Sequence, residues 1–126
     1  MDIIIRSSGG PIYEQIVTQV RQAVLTGELK AGDPLPSMRA LASDLRVSVI
    51  TTKRAYEELE REGIVESMVG RGSFITGRDP GSLRDEGLRQ VRAAAENAVD
   101  TARRYGIEET VMLEIVREIY GGMDNE

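Results

Sequence analysis

The stretch Ser37-Met38-Arg39-Ala40-Leu41-Ala42, then Val47-Ser48-Val49-Ile50-Thr51-Thr52-Lys53-Arg54-Ala55-Tyr56-Glu57-Glu58-Leu59, and finally Gly70-Arg71-Gly72-Ser73-Phe74-Ile75 decides the fold. Ser37 suits an N-cap, because its hydroxyl can accept from a first-turn N–H that has no partner within the helix. Met38, Leu41, Ala42 and Leu45 follow at i, i+3, i+4 and i+7, the apolar face of a short helix. A turn around Arg46-Val47 leads to a longer helix, capped by Ser48 and reaching about Glu62. Its apolar stripe is Thr52, Ala55, Tyr56 and Leu59. Gly63 fits the C′ position after it. Extended runs at 64–69 and 73–76 flank Gly70-Arg71-Gly72, which predicts a β-hairpin with a glycine-rich tip.

Upstream, the turn signal Ser8-Gly9-Gly10-Pro11 leads into a helix over 12–26, with Tyr13, Ile16, Val17, Val20 and Val24 at helical spacing and Gly27 as a stop. Two prolines, Pro34 and Pro36, make 30–36 a rigid loop. Helix, helix, short turn, helix, hairpin is the order of a winged helix-turn-helix, expected over residues 1–77. Downstream, Arg78-Asp79-Pro80-Gly81 reads as a linker with Ser82 as the next cap. Leu88, Val91, Ala95, Ala98, Ala102 and Tyr105 then step by 3 and 4 until Gly106 breaks the helix. Met112, Ile115, Val116 and Ile119 mark a last helix before Gly121-Gly122. The expectation is a mainly α (α+β) protein whose residues 78–126 form a two-helix tail. Ile3-Ile4-Ile5 fits either a short strand or a dimer contact.

Composition excludes several classes. The 126 residues hold no Cys and no His, which removes disulfides, the usual ligands of zinc and haem, and the commonest general base. No constellation of carboxylates, Lys or Tyr replaces them, so neither a cofactor nor enzymatic chemistry is expected. The chain has no apolar run near the roughly 20 residues of a membrane span and no signal-peptide core, which points to the cytoplasm. Net charge is −5 overall, but residues 30–78 carry +1 while 79–126 carry −5. Exposed charges beyond about 8–10 Å are screened at physiological salt, so the acidic tail does not forbid an anionic partner elsewhere.

The run from Ser37 to Ile75, with Arg61-Glu62-Gly63-Ile64-Val65-Glu66 in its middle, resembles the DNA-binding domain of the GntR family of bacterial repressors over roughly residues 11–76. Pro11-Ile12-Tyr13-Glu14-Gln15-Ile16 and the short tail are similar to the family's YtrA-type members. The resemblance implies a double-stranded DNA operator as partner and control of an operon encoding a transporter. It also implies that Arg39 contacts bases and that Ser48, Thr51 and Lys53 touch phosphates or base edges. Gly70-Arg71-Gly72 matches the wing tip. Val49 and Ile50 depart from the family, where Arg and a small polar residue are common. Neither can hydrogen-bond a base, although both can pack on a thymine methyl, so the family's base preference does not carry over.

The residues themselves point the same way. Ser48 to Tyr56 holds Lys53 and Arg54 and no acid, whereas Glu57 to Glu62 holds four Glu and one Arg. The helix dipole favours the opposite order, so helix stability does not explain it; a groove-facing front end does. Arg39 suits either a base contact or a plain surface position, and Ser37 caps its helix in either case; Arg54 suits either a phosphate or a pair with Glu58. The tail's Ala-rich seam, Leu88, Val91, Ala95, Ala98, Ala102 and Tyr105 with Met112, Ile115 and Ile119, suits homodimerisation, against the alternative that it folds back on its own domain. A two-fold dimer doubles the contacts and reads a palindrome. The tail looks too small for an internal ligand pocket of several hundred Å³, and no small-molecule effector is legible. The competing reading is a winged helix serving as a protein-interaction module without DNA.

Overall fold

The computed structural model describes the backbone of residues 2–124 and the side chains of residues 2–122. Among the described residues seven elements follow one another: α1 (Ile12–Leu25), α2 (Met38–Leu45), α3 (Val49–Arg61), β1 (Val65–Met68), β2 (Gly72–Ile75), α4 (Pro80–Arg104) and α5 (Glu109–Asp124). The described chain divides into two compact units between Arg84 and Asp85, inside α4.

The first unit is built around α3. Thr52, Ala55, Tyr56 and Leu59 turn inward, and α1 covers them with Ile16, Val17, Val20 and Val24. Leu41 and Ala42 of α2 are buried, and Ile64, Val65 and Ile75 of the hairpin join the cluster. Leu83, in the first turn of α4, belongs to the same core. Tyr56 has its hydroxyl donating to the Pro36 carbonyl at 2.6 Å, which ties the proline loop to α3. Burial pushes this phenol up to about 12, because ionising it there would place an unsolvated charge among apolar neighbours.

The hairpin is antiparallel, with Val65 opposite Ile75 and Met68 opposite Gly72. Arg71 N–H closes the turn onto the Met68 carbonyl at 3.0 Å, and Gly70 supplies the φ of 78° at the turn's third position. The loop before α2 does more than connect. Gly32 and Leu35 donate backbone N–H bonds to Ile75 and Ser73, and Ile75 donates to Asp33, so the outer edge of β2 is also paired. A two-stranded hairpin is marginal alone, and this third segment anchors it.

Two boundaries differ from the sequence expectation. Helix α4 begins at Pro80 rather than after Ser82, because proline needs no N–H in a first turn, and Asp79 accepts from Gly81 through its side chain at 3.3 Å and from Leu83 through its carbonyl at 3.1 Å. Helix α5 does not stop before Gly121-Gly122 but runs to Asp124. Each glycine costs about 1 kcal/mol against Ala in a helix, which weakens the segment without ending it. Gly106 behaves as expected: at φ 67° it lets Ile107 N–H reach the Ala102 carbonyl and terminates α4.

Candidate nucleic-acid interface

Of the three serines expected as caps, Ser37 and Ser48 are caps, while Ser82 lies inside α4. Ser37 Oγ accepts from Ala40 N–H at 3.1 Å, and Ser48 Oγ accepts from Thr51 N–H at 3.1 Å while lying 2.9 Å from Thr51 Oγ1. Neither α2 nor α3 has an acid in its first turn, so the positive end of each helix dipole is left for an external anion. Between the helices, Arg46 adopts the left-handed conformation (φ 59°, ψ 45°), and Val47 N–H reaches back to the Ala42 carbonyl at 3.0 Å.

The two helix starts are held against each other. Buried Thr52 has its hydroxyl 3.1 Å from the Met38 carbonyl and 2.9 Å from that of Val49, a bond between the first turns of α2 and α3. Arg39, next to Met38, is therefore a neighbour of the Ser48–Lys53 segment. Arg39, Lys53 and Arg54 are exposed, as are Val49 and Ile50, the latter 80%. Thr51 is half-buried. Gly70, Arg71 and Gly72 are exposed on the hairpin.

Charge pairing separates the two halves of α3. Among the described residues no hydrogen bond or ion pair engages the side chain of Arg39, Lys53, Arg54 or Arg71. Three of the four acids of the back half are instead satisfied inside the protein. Glu58 takes the Arg61 guanidinium, whose hydrogen bond holds its carboxyl below the usual range; Arg21 bonds both carboxylate oxygens of Glu62 at 2.9 Å; and Glu60 accepts from Ser67 of β1. Arg54 makes no contact pair with Glu58, whose carboxylate bonds Arg61, although its charge also helps to hold that carboxyl low. Its guanidinium carbon stands 3.8 Å from the centroid of the Tyr13 ring on α1. Nothing in the sequence around Arg54 pointed to a partner 41 residues upstream.

In the second unit Leu88, Val91, Ala95, Tyr105, Ile115 and Ile119 are exposed, Ala98 and Met112 are half-buried, and Ala102 is buried. Leu88, Val91, Ala95 and Val99 share one face of α4 with Arg92, Glu96, Asp100 and Arg103. They line an open groove of 720 Å³ rather than an enclosed chamber.

A capped helix pair carrying unpaired cations, backed by a glycine-tipped hairpin, defines a winged helix-turn-helix DNA-binding regulator. The chain belongs to the family described as bacterial regulatory proteins, gntR family, which it matches over residues 12–75. The family is one of transcription regulators, not enzymes. The HTH-type transcriptional repressor YtrA of Bacillus subtilis (strain 168) is 36% identical over 123 residues, covering 94% of this chain and 95% of the relative. A transcriptional regulator from Oenococcus oeni superposes with a TM-score of 0.64 at 27% identity, over 95% of this chain and 99% of that one. YtrA from Sulfolobus acidocaldarius, a GntR-family transcription factor, gives 0.58 at 35% identity, over 72% and 97%. Among the described residues no helix is long and apolar enough to cross a membrane, and no group of acids is placed to hold a metal ion.

Proposed function

We propose that the protein is a cytoplasmic homodimeric repressor of the YtrA type that reads a palindromic operator. The observation that carries this reading is the Thr52–Met38 bond, which juxtaposes two acid-free helix starts bearing unpaired cations. Helix α3 enters the major groove by its N-terminal end. Ser48, Thr51 and Lys53 meet phosphates or base edges there, and Val49 and Ile50 pack on thymine methyls. Arg39 reads a guanine through its planar guanidinium, and Arg54 takes a phosphate. Ser37 holds the helix that aims Arg39. Gly70-Arg71-Gly72 brings the backbone and one cation against the flanking minor groove or its phosphates.

Residues 78–126 supply the dimer. Only Ala102 is buried among the described residues of the second unit, and α4 and α5 make almost no contact with each other, so these helices lack a core of their own. Pieces of about 40 residues need outside support to stay folded, and a second copy provides it. Arg92, Glu96, Asp100 and Arg103 beside the apolar stripe are of mixed sign, as a self-pairing surface requires.

Selection of bound duplexes from random DNA, followed by titration at several salt concentrations, tests the reading. A two-fold symmetric site is expected. Arg39→Ala should cost about 1–3 kcal/mol on that site and relax one base pair per half-site. Arg71→Ala should weaken all duplexes alike and lower the salt slope by about one per subunit. Unchanged affinity in both variants sinks the proposed DNA face.

A further inference from the structure

We infer that Tyr13 is a positioning residue for DNA binding: its ring is the platform that holds the Arg54 guanidinium toward the phosphate backbone. The inference rests on the reading of Arg54 as a backbone contact and adds a residue outside the helix-turn-helix.

Three observations converge. The Arg54 carbon stands over the Tyr13 ring at 3.8 Å, a stacking distance at which the negative face of the ring attracts the cation. The acid one turn further along α3, Glu58, is hydrogen-bonded by Arg61, and Arg54 acts on it only through space, so the Arg54 guanidinium is not drawn into a contact pair with it. Among the described residues none of the Arg54 guanidinium N–H groups is engaged in a hydrogen bond. A ring satisfies the cation without consuming a donor, whereas a carboxylate consumes two. An arginine free in solvent loses rotamer entropy on ordering; one already laid on a ring loses less on meeting a phosphate.

The ring itself is held. Tyr13 packs partly against the core, and its hydroxyl donates to Glu14 Oε1 at 3.1 Å. Because α1 packs on α3 along the core, the platform sits on a rigid element. Arg54 lies one helical turn after Ile50 on the outward side of α3, away from Thr52, Ala55 and Leu59. The stack therefore borders the surface assigned above to the duplex.

The test uses the full chain and a 30-base-pair duplex chosen by the wild-type protein from random DNA, with anisotropy titrations across a potassium chloride series. R54A should weaken binding and lower the salt slope by about 0.9 per subunit. Tyr13→Leu, which keeps the bulk, should weaken binding by roughly two- to five-fold. Tyr13→Phe, which keeps the ring, should match wild type, and Y13L added to R54A should cost nothing more. Tyr13→Met serves if Y13L melts below the assay temperature. Equal losses from Y13L in the wild-type and R54A backgrounds overturn the platform while leaving Arg54 a backbone contact. An unchanged salt slope in R54A overturns that contact, and the platform with it.

Discussion

Arg46 is the one residue other than glycine among those described with a positive φ, 59°, and it sits in the turn that sets the angle between α2 and α3. Left-handed backbone costs an L-residue roughly 1–2 kcal/mol, part of which glycine gives back through its greater freedom when unfolded. Arg46→Gly should therefore raise stability by about 0.5–1 kcal/mol, seen as a midpoint shift of a few degrees in thermal melts. A lower midpoint would mean that the Arg46 side chain stabilises the turn by more than its backbone strain costs. Tyr56 offers a second test. Its phenol is raised from 10 to about 12, so the neutral form is favoured in the folded state. The associated stability is fully present below the unfolded value of about 10 and is lost as pH rises through the folded one. Tyr56→Phe should cost about 1 kcal/mol at neutral pH, because the Pro36 carbonyl loses its donor. The wild-type protein should then lose more stability than the variant between about pH 10 and pH 12, measured by denaturant melts.

At the scale of elements, local signals were legible and distant ones were not. Ser37, Ser48, Gly63 and Gly106 act within one turn of their own position, and the structure uses each as its residue type suggests. Pro80 and Gly121-Gly122 misled because proline and glycine weaken or permit a helix according to position. The pairing of the proline loop with β2 and the Tyr13–Arg54 stack join residues about 40 apart, beyond any helical or strand period. The candidate site divides along the same line: its residues were legible as positions on caps, helices and a tip, while Arg54's partner was not. The N-terminal arm is the clearest case. Gln15 and Gln19 stand one turn apart on α1, and each amide accepts from and donates to the backbone of an alternate arm residue, Arg6 and Ile4. Two side chains thus imitate a neighbouring strand, leaving Ile3 and Ile5 partly buried against the core. Gln19→Ala should remove the hydrogen-exchange protection of the Ile4 amide, spare that of Arg6, and cost about 1 kcal/mol. Equal protection of Ile4 in the variant and the wild type would show that the clamp does not hold the arm.

For the whole molecule, the two units are unequally packed. The first encloses a core centred on Tyr56 and Leu59, while the second exposes Leu88, Val91, Val99, Ile115 and Ile119 around a single buried alanine among its described residues. An exposed apolar surface of that extent marks an interaction site. If a second copy covers it, folding of α4 and α5 is linked to association, and stability depends on protein concentration by mass action. The wild-type melting midpoint should rise across a hundredfold concentration series, and sedimentation should report a dimer. Val91→Glu, which places a like charge on each copy of the seam, should shift the mass toward monomer and remove the concentration dependence. On a duplex carrying one half-site, V91E should bind as wild type does, since Arg39, Lys53 and Arg71 are untouched. On a palindrome it should lose roughly ten- to a hundredfold, because the second half-site no longer benefits from a linked partner. A wild-type midpoint that stays constant with concentration, together with a monomeric mass, would overturn the dimer. The exposed seam would then have to be covered by some other molecule.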